Sequence, residues 1–299
     1  MRMFIGRKSN NCIRKDMNQI VRRKAVYGFL LPSFAGVCIF YFIPYIDVFR
    51  RAFFSAAGGE FQGLDNFKTV LTNPAFQLAV KNTGLFMLVC IPLLLSLSLV
   101  IAVWIYRHSK IGNFLKTGFL LPMAIPVAAV VLLWRILFDD QGLLNGVLDR
   151  WGTGTCEWMD TRWAFVILVV SYIWKNLGYH IVLWLAGLSM IPDQIYEAAQ
   201  MDGASDRVIF FRITLPNLLP MLFIIAVLAL LNSFKVFREV YLVAGNYPNE
   251  SIYMIQHLFN NWFLDLDVGR LCAAAVLIAA VLLAAILLLQ KLWGGEDAR

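Results

Sequence analysis

The chain has 299 residues, of which 60% are hydrophobic and 15% charged, with a mean hydropathy of +0.69. That balance is too apolar for a water-soluble domain of this length and marks a chain that crosses a membrane several times. The net charge of +7 does not point to nucleic acid, because it gathers in an N-terminal arm: Arg2, Arg7, Lys8, Arg14, Lys15, Arg22, Arg23 and Lys24 precede Ala25, with Asp16 the one acid among them. A basic arm abutting an apolar run is a topology signal.

Residues 1–24 therefore read as a cytoplasmic arm. The uncharged run Ala25–Ile46 is a first span, since about 20 apolar residues cross a bilayer. It carries Pro32 and Pro44 and no small-residue cleavage site, so an uncleaved helix is expected rather than a signal peptide. A polar connection, Asp47–Lys81, contains Gly58, Gly59, Gly63 and Pro74. The second span fits between Lys81 and Arg107, with Pro92 inside it, and Arg107, Lys110 and Lys116 then form a short basic loop that reads as cytoplasmic. The third span runs from near Leu115 to about Phe138 and includes Pro122 and Pro126. The connection Asp139–Arg162 holds Asp139, Asp140, Asp149, Glu157 and Asp160 against Arg150 and Arg162, together with Trp151 and Trp158 and with Trp163 just beyond, as the opposite face of a membrane would.

The fourth span, around Ser171–Leu188, is interrupted by Lys175, and an ionisable residue there is expected to face a cavity or a partner helix. A fifth span fits between Arg212 and Lys235, a polar connection leads to Arg270, and Leu271–Gln290 is the sixth, followed by Lys291 and a charged tail at 294–299. The expected fold is an all-α membrane protein of six transmembrane helices with both termini cytoplasmic. The cysteines Cys12, Cys38, Cys90, Cys156 and Cys272 have no paired or metal-like spacing, so no disulfide framework follows.

Between the fourth and fifth spans lies a partly charged segment, residues 189–216. Pro192 suits the first turn of a helix and Asp193 its positive end. Ile195, Ala198, Ala199 and Asp202 recur at i, i+3, i+4 and i+7 and share one face. Gly203 is placed to end that helix in a left-handed cap, and Ser205 and Asp206 start a second short helix that Pro216 limits.

Glu197-Ala198-Ala199, then Asp202-Gly203-Ala204, then Phe210, Ile213, Leu215 and Pro216 resemble the EAA loop of permease subunits in bacterial ABC importers. Gly63–Phe67 (GLDNF), Lys81–Phe86 (KNTGLF), Leu120–Pro126 (LLPMAIP), Leu132–Phe138 (LLWRILF), Gly142–Leu148 (GLLNGVL) and Leu183–Pro192 (LWLAGLSMIP) extend the resemblance toward the carbohydrate-type permeases, similar to the maltose and glycerol-phosphate systems. One departure is Leu242–Pro248, LVAGNYP, which keeps Gly245 and Pro248 but lacks the glycine run of many relatives.

The resemblance implies a six-span permease domain at residues 25–293 in the bacterial inner membrane, with 189–216 as its coupling loop. In that family a cytoplasmic helix enters a cleft of the ATPase subunit, which assigns Tyr196, Glu197, Ala198, Ala199, Asp202, Gly203 and Ala204 to ATPase coupling. The implied partners are a second permease, ABC ATPase subunits, an extracytoplasmic solute-binding protein and membrane lipid, with no nucleic acid. ATP and Mg belong to the ATPase subunit, and the chain itself binds no cofactor and is no enzyme. The residues agree: the sequence contains no G-x-x-x-x-G-K-[ST] phosphate loop, and His108, His180 and His257 have no metal-binding spacing. No catalytic set or metal site is expected.

A sugar pathway calls for aromatic faces and neutral hydrogen-bonding groups, which selects Trp174, Asn176 and Tyr179 beside Lys175 on the fourth span, and Asn232 and Ser233 on the fifth. A permease for another solute, such as a polyamine or phosphate, is the alternative within the class. A secondary transporter that needs no ATPase is the alternative outside it, and the lack of carboxylates in the spans as read argues against a proton-coupled one.

Overall fold

A computed structural model describes residues 30–55 and 59–293. The basic arm 1–24, with Cys12, and the tail 294–299 lie outside the described residues. Helix is the regular structure throughout, and among the described residues the only β pairing is an isolated antiparallel bridge between Phe54 and Phe61.

The chain forms two units, one comprising the described residues up to Phe67 with Val268–Val276, the other Lys68–Asp267 with Leu277 onward. In the first unit, α1 (Leu30–Arg51) exposes nearly all of its apolar surface, as a helix packed by lipid or by another subunit must. Its last turn carries an i,i+4 pair, Arg51 Nε to Asp47 Oδ2 at 2.6 Å. Pro44 does not stop the helix. The turn ahead of it, Cys38–Phe42, widens to a π-helix, and the Ile43 N–H bonds back to the Cys38 carbonyl, which makes room where a proline ring would strike the carbonyl four residues before it. Helix α2 (Asp65–Thr72) begins in this unit, where Asn66 Nδ2 donates to the carbonyls of Ala52 and Phe54, both at 3.0 Å.

In the second unit, α3 (Pro74–Arg107) is capped by Asn73, whose side chain accepts the Phe76 N–H at 3.1 Å, and starts with Pro74 in its first turn. At about 1.5 Å per residue this helix is about 50 Å long, well beyond the roughly 30 Å of a hydrocarbon core. The third apolar run is two helices, α4 (Ser109–Ala124) and α5 (Val127–Phe138), bent by 92° at Ile125–Pro126. Ile125 is extended (φ −70°, ψ 125°), the conformation that a following proline imposes. The third apolar run, expected as one span carrying Pro122 and Pro126, is thus interrupted at the second of these prolines.

The acidic connection after α5 contains α6 (Leu143–Arg150) and is organised by the buried Asn145, which accepts the Cys156 N–H at 3.0 Å and the Trp158 Nε1–H at 2.9 Å. Helix α7 (Trp163–Ser189) is the hub. It packs along α3, with Phe86, Cys90 and Leu94 meeting Ala164, Leu168 and Tyr172 in one cluster, and Ala102 and Ile105 meeting Ile181, Trp184 and Leu188 in another. Trp184 Nε1 donates to Ser98 Oγ at 3.0 Å between them. At Gly178 an added Cβ would lie 1.9 Å from the Phe119 carbonyl oxygen, so only glycine admits α4 this close to α7.

Helix α8 (Asp193–Met201) and then α9, beginning Asp206–Ile209, follow α7. Pro216 does not limit α9. A π-turn at Phe210–Thr214 precedes it, as at Pro44, and helix resumes at Leu215–Asn217 and again as α10 (Leu219–Ser233). Helix α11 (Phe237–Ala244) continues α10 after one 3₁₀ turn, so the fifth apolar element reaches Ala244 rather than ending at Lys235. The connection expected to be polar includes α12 (Ile255–Leu264), which buries Ile255, His257, Leu258 and Trp262. Asn82 Nδ2 and Thr83 Oγ1 of α3 hold its approach through the Tyr253 carbonyl and the Ile255 N–H, each at 3.0 Å. The last helix is α13 (Val268–Trp293). Among the described residues five helices are long and apolar enough to cross a membrane, or six elements if the bent α4–α5 pair is one span.

Candidate functional site

Helix α8 stands out because a short, largely exposed helix is held in one position by contacts at both ends. Pro192 is its N-cap and Asp193 opens its first turn. At the other end Gly203 adopts φ +75°, the Gly203 N–H bonds to the Gln200 carbonyl and the Ala204 N–H to the Ala199 carbonyl, both at 3.0 Å. That pair of bonds is a Schellman turn, which requires a left-handed residue where glycine stands.

Tyr196 turns inward from α8. Its ring packs on the cluster of Ile191 and Leu218, and its hydroxyl lies 3.3 Å from Thr214 Oγ1. Two contacts reach α8 and α9 from the end of α3: Tyr106 Oη donates to Asp193 Oδ1 at 3.3 Å, and Arg107 Nη1 pairs with Asp206 Oδ2 at 2.8 Å. Together these residues edge a cavity of about 400 Å³ beneath the helix. Glu197, Ala198, Met201, Asp202 and Gly203 are exposed, while Ala199 and Ala204 are half-covered. The outward face is therefore small and acidic, with Met201 90% exposed at its end.

A second cavity, of about 260 Å³, lies where α7 meets the junction of α10 and α11. Tyr172, Lys175 and Asn176 face it from α7, and Asn232, Lys235, Arg238 and Glu239 from the other side. Met123 and Val127, the residues flanking the α4–α5 break, close its edge. Lys175 Nζ pairs with Glu239 Oε1 at 2.7 Å, with 16% and 12% of the two side chains exposed. Tyr172 Oη and Glu239 Oε2 are buried without a hydrogen-bond partner among the described residues.

Of the pathway residues selected from sequence, the structure brings Lys175, Asn176 and Asn232 together at this cavity. Trp174 is exposed on another face of α7, Tyr179 stacks edge-on against His180, and Ser233 is buried with its hydroxyl on the Leu230 carbonyl at 2.6 Å. Tyr172, one turn before Asn176 on α7, was passed over in favour of Trp174 and Tyr179, and Lys235, Arg238 and Glu239 were missed because Lys235 was taken as the end of the fifth span. The recurrence of Asn232, Lys235 and Glu239 at i, i+3 and i+7 is the helical signal that would have found them. It also corrects the argument from absent carboxylates, since Glu239 lies within the apolar element Leu219–Ala244.

A family model described as binding-protein-dependent transport system inner membrane component matches residues 94–293. The chain is 28% identical over 289 residues to the arabinooligosaccharides transport system permease protein AraP of Bacillus subtilis (strain 168), covering 91% of this chain and 90% of that protein. It is 30% identical over 263 residues to the trehalose/maltose transport system permease protein MalF of Thermococcus litoralis, covering 85% and 89%. A solved chain of a bacterial ABC transporter involved in the import of the acidic polysaccharide alginate shares the fold, with a TM-score of 0.81 and 24% identity over 94% of this chain and 99% of that one. These relatives are transport permeases rather than enzymes. With its family pattern running from Leu94 within α3 to the end of α13, the chain belongs to the inner membrane components of binding-protein-dependent transport systems.

Proposed function

We propose that this chain is the membrane-spanning permease subunit of an ATP-driven importer for a carbohydrate handed over by an extracytoplasmic binding protein. The observation that carries this reading is the exposed, doubly anchored helix α8 in a chain of this family. A short helix with a small outward face, braced against the ends of three longer ones, can pass a push from outside into the spans. In this reading α4 and α5 count as one span, making six, with the permease domain at 25–293 and both termini cytoplasmic. A second permease and the ATPase subunits complete the machine. ATP and Mg act in the ATPase subunit, and this chain supplies no cofactor site. The solute class follows from the relatives, which serve arabinooligosaccharides and trehalose or maltose.

The test is uptake of a panel of radiolabelled mono- and oligosaccharides in the parent strain, a deletion strain and the complemented strain. Loss of uptake of at least one saccharide on deletion, restored by the gene, is expected. Unchanged uptake of every saccharide, with loss of an amine or inorganic phosphate instead, would move the chain to another solute.

A further inference from the structure

The cavity at the α7 and α10–α11 junction has the wrong chemistry for a neutral sugar. Sites for neutral solutes are mostly apolar or aromatic with a few neutral hydrogen-bonding groups. Here the aromatic faces expected from sequence, Trp174 and Tyr179, do not line the cavity, whereas three cations do. Lys175 is neutralised by Glu239 at 2.7 Å. Lys235 bonds only to a neutral group, Asn232 Oδ1 at 2.6 Å, and Arg238 has no acidic partner among the described residues. The lining therefore keeps an excess of two positive charges.

Three further features belong to the same wall. Tyr172 is only 6% exposed, yet its hydroxyl has no partner among the described residues. Glu239 has one oxygen on Lys175 and a second unpartnered. The α4–α5 break, flanked by Met123 and Val127, adds the start of α5, whose dipole is positive at that end. Irregular backbone within a membrane-crossing element is tolerated where it lines a cavity rather than lipid. Lys235 and Arg238 also sit beyond the middle of the Leu219–Ala244 element, toward the end remote from the basic α3–α4 turn at Arg107 and Lys110, where the positive-inside bias gives no reason for cations.

We infer that this cavity takes an anionic saccharide, one bearing a carboxylate or another oxyanion, with Lys235 and Arg238 as its charge partners. This rests on the carbohydrate-importer reading above and deepens it. Arg238 can present a two-pronged donor to a carboxylate or phosphate, and Lys235 a point charge. The Tyr172 hydroxyl and the second Glu239 oxygen, buried and unpartnered in the cavity wall, hold a donor and an acceptor in reserve behind those charges. Glu239 keeps Lys175 occupied, so that the α7 cation acts as a tie between helices while the α10–α11 cations face the ligand.

The experiment pairs each acidic probe with a neutral counterpart in parent, deletion and complemented cells: galacturonate with galactose, digalacturonate with galactobiose, mannuronate oligomers with mannobiose, and sn-glycerol 3-phosphate with glycerol. Gene-dependent uptake confined to acidic members is expected. Gene-dependent uptake of neutral members at equal or greater rate overturns the inference and leaves the importer reading standing. No gene-dependent uptake of any member overturns the inference, and the importer reading then stands or falls on the wider saccharide panel above. The acidic probe that is taken up is then used with Lys235→Gln and Arg238→Gln, each expected to raise KM about tenfold with membrane abundance and maximal rate unchanged. Both side chains are exposed, so neither change disturbs packing. An unchanged KM, or a fall in abundance or maximal rate alone, assigns the cations a structural role and overturns the proposal.

Discussion

Lys175 and Glu239 lie 64 residues apart and meet at 2.7 Å in a setting that leaves little of either side chain exposed. Removing one partner strands a charge in a poorly solvated place, which costs about 3 kcal/mol or more, whereas replacing both with apolar groups of similar volume is close to neutral. Lys175→Met should therefore lower the thermal stability of the purified protein markedly, and Lys175→Met combined with Glu239→Met should recover most of it. Equal losses in the single and double variants would refute a mutual tie. His257 offers a second test at this scale. Its Nδ1 accepts the Met254 N–H at 3.1 Å, and burial pushes the imidazole down to about 4. An unfolded imidazole takes its proton near pH 6.5, so between 6.5 and about 4 acid favours the unfolded chain, by about 1.4 kcal/mol per pH unit. Stability of the α12 region, read by hydrogen exchange, should fall across that window. His257→Asn, which keeps an acceptor for the Met254 N–H, should flatten the dependence.

At the scale of an element, α8 separates two kinds of face. Tyr196 looks inward to Thr214 and the ends of the spans, while Ala198 looks out. A bulky residue at Ala198 thus tests docking without disturbing the helix's own seat, which a change at the half-covered Ala199 does not guarantee. Ala198→Trp should leave the protein at normal level in the membrane but abolish co-purification of the ATPase subunits, and uptake with it. Gly203→Val forces a β-branched side chain into φ +75° and should have the same phenotype through a distorted turn. Glu197→Lys reverses charge on the outward side and should weaken the association in a salt-dependent way. Normal co-purification with Ala198→Trp would count against α8 as the docking helix. The ion pair between Arg107 and Asp206 is exposed and contributes at most about 1 kcal/mol, so the apolar seat of Tyr196 is the stronger anchor.

For the whole molecule the matter to test is topology. Among the described cysteines Cys90 and Cys272 are buried, Cys38 lies in α1, and Cys156 is half-covered in the acidic connection beside Asn145. A membrane-impermeant thiol reagent added to intact cells should label Cys156, slowly because its backbone is held, and leave Cys12 unlabelled until the cells are permeabilised. Labelling of Cys12 in intact cells would contradict an inward N-terminus. The expected basic loop is helical from Ser109, so Arg107, Lys110 and Lys116 sit at the end of α3 and the start of α4, and with the acidic Asp139–Arg162 connection after α5 the α4–α5 element must cross once for the charge bias to hold.

Local chemistry was enough for much of this. Proline and glycine at fixed offsets define α8 and its cap, apolar length defines most of the spans, and the run from Glu197 to Pro216 carries the family pattern. Those features are set by dihedral limits, hydration and neighbours a few residues away, all visible along a chain. Three others did not show along the chain, two of them because they depend on distant residues. Lys235 and Glu239 read as the end of a span because a charge in lipid is costly, yet Lys175 of α7 neutralises Glu239, and a cavity receives the rest. Pro126 and Pro216 look alike in sequence, but a π-turn upstream carries one helix through, while the other breaks by 92° at the edge of that cavity. Likewise α12 looks polar until Asn82 and Thr83 of α3 hold its approach and bury its face. For Glu239 and for α12 the free energy of a group was decided by a partner far away in sequence, which only the tertiary structure brings near.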